Sequence, residues 1–277
     1  VLWLLDGVRL NKKSLTETGI SPAIALDLNL NDVLFRYGVR INPVIIEDMQ
    51  CISIPVNVSP KGEYPQFEPS PWYFSPLLLT SPQHPVTKNV TVVKADFCSE
   101  IEAVGDDTEL KKDILLLSSE KSQTVSVPGT IDVTKEHIKK DKSYFTKSYL
   151  PVAVSVEGIF KSAFTNRMKP ETITHSFPFM DRSLKTRQIF IADGDIIRNE
   201  TNGIASDSTT LPLGFDRYSN LQYGNAEFIK NAVLYLADES GWMQLRSKSV
   251  KLRLLNNQLI KDNKLIIQLL NVVLPVL

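Results

Sequence analysis

Two apolar runs that each end on an Asp-Gly pair constrain the fold more than any other feature of this chain. Val1–Leu5 runs into Asp6 and Gly7, and Gln188–Ala192 runs into Asp193, Gly194 and Asp195. A strand whose apolar residues do not alternate with polar ones needs cover on both faces. Ile114–Leu117 and Pro151–Val156 are two further runs of this kind, and Pro151 is tolerable as a strand's first residue. The four runs are expected to be neighbouring strands of one buried sheet.

Helical patterns lie between them. Leu30, Val33, Leu34 and Tyr37 share one helical face closed by Gly38, with Asn29 or Asn31 as the cap, and Val39–Ile46 reads as the next strand. The clearest helix is Asn225–Ala237, whose Phe228, Ile229, Ala232, Val233 and Leu236 are expected to face a sheet. Strands alternating with helices argue for an α/β domain with a mostly parallel sheet and helices on both faces. Ligands of such sheets sit beyond the carboxyl ends of the strands. Asp6, Asp193 and Asp195, with Asn225 at the start of the helix, are therefore the candidate residues of strand-end interaction loops.

The segment 55–85 differs in character. It carries Pro55, Pro60, Pro65, Pro69, Pro71, Pro76, Pro82 and Pro85 among Tyr64, Phe67, Trp72, Tyr73 and Phe74. Proline removes donors from a strand ladder, so an ordered cover strap inserted outside the central sheet is expected, with its aromatics packed rather than offered as a proline-rich ligand. Lys135–Lys147 reads as a solvated, charge-rich connector.

Composition excludes several functions. Thirty-one basic and 31 acidic residues give no net charge, so no field favours nucleic acid. No two of the 12 glycines are separated by a single residue, which removes GxGxxG, and no GxxxxGK[ST] is present. His84, His137 and His175 are far apart, with no metal spacing among them, so no cofactor and no metal is expected. Asp193-Gly194-Asp195 reads as a turn in preference to a cation site. Cys51 and Cys98 read as two buried free thiols, a disulfide requiring an oxidising compartment. Neither has the small neighbours of a nucleophile elbow, and no GxSxG exists. Asn57, Asn89 and Asn199 head glycosylation sequons that matter only in a eukaryotic secretory pathway.

The blocks VLWLLDGV, DLNLNDVLFRYGVRI, SPLLLTSPQHPVTKNV, DILLLSSEKS, LPVAVSVEGIFKSAF, QIFIADGDIIRN, GNAEFIKNAVLYLADESG and LRSKSVKLRLL, taken in order, resemble the GldG family. These are auxiliary, so-called substrate-binding components of gliding-motility-associated ABC transporters in Bacteroidetes. HPVTKNV, ADGDIIRN and GNAEFIKNAVLYL are also similar to the broader GIFT-type domain. That resemblance implies a flavodoxin-like, class I glutamine-amidotransferase-like α/β fold without the amidotransferase nucleophile. It further implies no catalytic residues, a permease and through it an ATPase as partners, and a periplasmic position in the inner membrane held by helices outside this sequence.

The ends of the chain fit that placement. No charge follows Lys264, and the run from Leu265 to Leu277 is shorter than the roughly 20 apolar residues of a membrane helix. It reads as the truncated approach to a span, the alternative being a buried C-terminal helix. Arg246, Lys248, Lys251 and Arg253 alternate with apolar residues as a half-buried strand or stalk would. The expected domains are 1–242, extracytoplasmic, and 243–277, juxtamembrane. Two rivals remain open. A hydrolase needs a strand-end nucleophile with a histidine in reach. A soluble sugar- or peptide-binding protein needs Trp72, Tyr73 and Phe74 to line a cleft.

Overall fold

The computed structural model describes residues 1–60, 62–105, 108–133, 140–165, 179–202 and 209–247, together with Asn263, Lys264, Ile266 and Leu269. The chain divides into two compact units, Val1–Ser247 and Lys248–Leu277. The first unit carries strands β1 (Leu2–Leu4), β2 (Val8–Leu10), β3 (Ile20–Ala25), β4 (Val39–Ile41), β5 (Val44–Asp48), β6 (Cys51–Asn57) and β7 (Phe67–Thr80). They are followed by β8 (Val93–Lys94), β9 (Ile101–Ala103), β10 (Leu110–Leu117), β11 (Ser122–Ser126), β12 (Gly129–Asp132), β13 (Pro151–Gly158) and β14 (Thr186–Ile191). Among the described residues its α-helices are α1 (Lys12–Thr18), α2 (Asn31–Arg36), α3 (Asn225–Ala237) and α4 (Trp242–Ser247).

The main sheet has seven strands in the order β1-β14-β13-β10-β7-β6, with β8 added to β7. The four apolar runs are neighbours in it, as β1, β14, β13 and β10. Their directions overturn the flavodoxin-like, mostly parallel α/β reading. Among the described residues only β1 and β14 run parallel, with Leu2 opposite Ile189, whereas β13 is antiparallel to both β14 and β10. The fold is mostly β, its mixed sheet curled into half a barrel.

The reason for the misreading lies in what covers the sheet. Ile189 and Ile191 of β14 pack in one cluster with Phe228, Ile229, Ala232 and Tyr235 of α3. Phe190 and Ala192, pointing the other way, pack with Leu34 of α2, Val39 of β4 and Ile101 of β9. Burial of both faces thus reports cover, and here part of that cover is strand. It carries no information about strand direction.

The segment 55–85 is also corrected. Pro55, Pro69, Pro71 and Pro76 sit in the sheet, whereas Pro60, Pro65, Pro82 and Pro85 lie outside the strands. The first part of β7 ladders only with the edge strand β6 among the described residues, pairing Pro69 with Pro55 and Pro71 with Ser53. Two prolines two residues apart lose their donors on the same side, which an edge tolerates. Pro76 falls at a register shift. Trp72, Tyr73 and Phe74 are core, as the packing argument anticipated.

Smaller corrections follow from local geometry. The expected strand Val39–Ile46 breaks into β4 and β5 around Asn42 and Pro43. Neither Asn29 nor Asn31 caps α2, whose N-cap is Leu30 with no side-chain cap bond. Helix α3 has the expected bounds, but Val233 is 51% exposed and Tyr235 takes its place in the core. Lys140, within the expected solvated connector, pairs with buried Glu47. Lys248, Lys251, Arg253 and most of Leu265–Leu277 lie outside the described residues. No helix among the described residues is long and apolar enough to cross a membrane.

Candidate functional site

Because β1 and β14 are parallel, Asp6 and the Asp193–Asp195 turn leave the sheet at the same edge. The Asp6 carboxylate accepts the Gly194 N–H at 2.7 Å. A Cβ on Gly194 would meet that carboxylate at 2.9 Å, so glycine is what permits the approach. Asp193 is wholly buried, and its carboxylate accepts the N–H of Asp195 at 2.8 Å and of Asp96 at 2.9 Å. Burial pushes its pKa up to about 7; the Asp96 N–H and Lys12 oppose the rise, while the charges of Asp96 and Asp6 add to it.

Asp195 faces outward to Lys12 and to Arg198, the latter at 3.1 Å. Lys12 also lies over the Phe97 ring, 5.4 Å from its centroid. Asn225, buried at the first turn of α3, accepts the Lys94 N–H at 2.9 Å. Its amide donates to the carbonyls of Lys94 at 2.7 Å and Ile196 at 3.2 Å. It therefore ties β8 to the turn that follows β14. The buried Lys94 ammonium pairs with Glu200. Burial works to lower its pKa, but Asp96, Glu200 and Asp216 hold it above the ordinary value.

All four sequence-predicted residues thus meet in one polar network at the strand ends. Lys12, Lys94, Asp96, Arg198 and Glu200 complete it and were missed. A signal for two of them was present, since Lys94 and Asp96 interrupt the otherwise apolar run from Val92 to Cys98, and charge inside such a run is buried only when paired.

Two hollows flank the network. One, of about 510 Å³, runs from Asp6 past Leu26, Leu28 and Ile41 to Phe35, which is 60% exposed. The other, of about 560 Å³, is lined by Arg9, Lys12, Ile24, Asp195 and Arg198. The space between Lys94, Asp96 and Asn225 is about 20 Å³, room for one water. The carboxylates are engaged with backbone N–H groups, with cations or, for Asp96, with the Ser75 hydroxyl, so the network holds loops in place and presents charge between two grooves.

Among the described residues no group of three His, Cys, Asp or Glu is placed to hold a metal. His84 lines a separate hollow of about 820 Å³. Its Nδ1 accepts the Val86 N–H at 3.2 Å, its ring packs on Tyr235, and burial lowers its pKa to about 4, far from that of an efficient general base. His137 and His175 lie outside the described residues. Cys51 and Cys98 are free, their thiols pushed up by burial, Cys51 to about 12. Trp72, Tyr73 and Phe74 are buried and line none of these hollows, contrary to what a sugar- or peptide-binding protein would need of them.

The model of the family described as ABC-type uncharacterized transport system matches residues 1–232, a span that takes in the whole network. The chain belongs to that family. It is thus an auxiliary component of an ABC-type transport system, and the strand-end network lies in the part of the chain that the family shares. Searches of curated proteins and of solved structures returned no match.

Proposed function

We propose that this ABC transport auxiliary chain is a non-enzymatic, extracytoplasmic interaction domain that docks on the transporter's permease through the loops at the carboxyl ends of β1 and β14, and through the permease is coupled to the ATPase. The observation that carries the reading is the strand-end network itself. Asp6 and Asp193 accept backbone N–H groups, Asp195 pairs with Lys12 and Arg198, and two grooves flank the network, an arrangement suited to recognising a protein surface. The narrower assignment, to the gliding-motility-associated GldG type in the periplasm, is supported by the order of the resembling blocks, and binding of a transported substrate belongs to that narrower reading.

Co-purification from membranes of the full-length protein tests the docking. Permease and ATPase in the eluate are expected. Phe35→Glu and Arg198→Glu, both at exposed positions, are expected to reduce their recovery while leaving the melting temperature near wild type. Recovery of neither transporter component with the wild-type protein overturns the proposal.

A further inference from the structure

Glu47 is one of the largest fully buried side chains of the molecule, although it is ionisable. Burying a carboxylate costs several kilocalories unless it is paired, and Glu47 is paired by the ammonium of Lys140 through Oε1. Among the described residues its Oε2 accepts no hydrogen bond.

The surroundings of that ammonium are unusual. The Lys140 Nζ lies 5.6 Å from the Tyr73 ring centroid, 5.7 Å from that of Phe74 and 4.8 Å from that of Tyr144. Each distance is within the roughly 6 Å at which a ring face attracts a cation. Phe145, 5.2 Å from both Tyr73 and Tyr144, packs behind these two rings. The Lys140 backbone N–H donates to the Tyr73 hydroxyl at 3.1 Å. A carboxylate, three ring faces and one acceptor for an amide together read out a lysine side chain and the peptide bond before it.

We propose that Glu47, Tyr73, Phe74 and Tyr144 form a recognition cage for a primary alkylammonium group, filled in this state by the chain's own Lys140, which an incoming amine displaces. The carboxylate selects a primary ammonium, which has protons to donate, over a quaternary one, which has none. Tyr144, 38% exposed, is the cage residue that reaches the surface, while Glu47, Tyr73 and Phe74 are buried. The same chemistry is offered by a free amine and by a lysine in a partner chain. Phe74 stacks on Phe97, over which Lys12 of the strand-end network lies, but none of the four cage residues belongs to that network, so amine binding and permease docking are read out separately.

Wild-type protein carrying ¹³C-lysine is titrated with n-butylammonium chloride, with Nα-acetyl-lysine N-methylamide and with sodium chloride. The Lys140 ε-methylene resonance, moved upfield by three rings, is expected to shift saturably toward the position of solvated lysines with either amine and not with the salt. A tethered occupant competes at an effective concentration of roughly millimolar. Lys140→Ala should accordingly bind n-butylammonium about tenfold more tightly or better, and Lys140→Ala/Glu47→Gln should lose that binding. Tighter binding of the lysine derivative identifies a partner's lysine as the source, and tighter binding of butylammonium a free amine. Should Lys140→Ala not fold, the wild-type titration decides alone. A Lys140 resonance that neither amine moves, or that salt moves equally, overturns the proposal.

Discussion

The buried carboxylate of Asp193 accepts the backbone N–H of Asp96 at 2.9 Å, joining the end of β14 to the residues just beyond β8. This bond crosses 97 residues of sequence and its acceptor is fully buried, so the protonation of one side chain bears on the whole strand-end network.

That carboxyl makes stability depend on pH in a defined direction. Burial keeps Asp193 protonated up to about pH 7, while in the unfolded chain it ionises near its ordinary value of 3.8. Between those limits the folded state binds more protons. The contribution of this group is complete below about pH 4 and is lost as pH rises through about 7, by roughly 4 kcal/mol at most. In urea melts the advantage of wild type over Asp193→Asn should therefore shrink as pH rises. An advantage that grows with pH contradicts the assignment.

The face of α3 separates two substitutions that look alike in sequence. Phe228 is fully buried and Phe228→Ala should cost about 3–5 kcal/mol. Val233→Ala, at an exposed position, should stay within about 0.5 kcal/mol. Comparable losses from both would place Val233 in the core.

Asn225→Ala strips partners from the Lys94 N–H and from the carbonyls of Lys94 and Ile196. Each buried group left unsatisfied costs about 1–3 kcal/mol. Hydrogen exchange should quicken at Lys94 well before the sheet interior responds. Unchanged protection at Lys94 would show that the amide is not what holds β8.

The thiols should be inert in the native protein. Cys98 is buried and Cys51 has its pKa pushed up to about 12, by burial first and by the charge of Asp48 second. Only the thiolate attacks a disulfide reagent. Ellman's reagent should react slowly with the folded chain and titrate both cysteines at once in guanidinium. Rapid reaction of one thiol in the native state would refute the burial argument.

Placement beside a membrane has its own test. Protease added to intact spheroplasts should digest the domain. Protection there, with digestion after permeabilisation, would put the domain in the cytoplasm and sink the extracytoplasmic reading.

Much of this architecture was legible in the residues and part was not. The apolar runs identified four adjacent strands, and the 3.6-residue period found α3 to its end residues. Direction was invisible, because Ile189 and Phe190 are buried by opposite covers whichever way β13 runs beside them. The prolines of β7 were misread because the rule against proline applies to strands with a ladder on both sides, and adjacency to an edge is a property of the folded sheet. At the site, Asp-Gly turns marked Asp6, Asp193 and Asp195. Lys12 and Glu200 carried no mark, since a charged residue in a loop reads as solvated until the fold supplies its partner.

The parallel pairing of β1 with β14 has a consequence for how the chain acquires its structure. Trp3 stacks on Phe190 and donates its indole N–H to Gln188, 185 positions away. The strand β1 therefore remains without its neighbour until nearly two hundred further residues have been made, and such distant closures slow folding. Until then a run of five apolar residues stays exposed to whatever holds nascent chains. Synthesis halted before Thr186 would leave β1 an orphan, and the strand-end network with no edge on which to form.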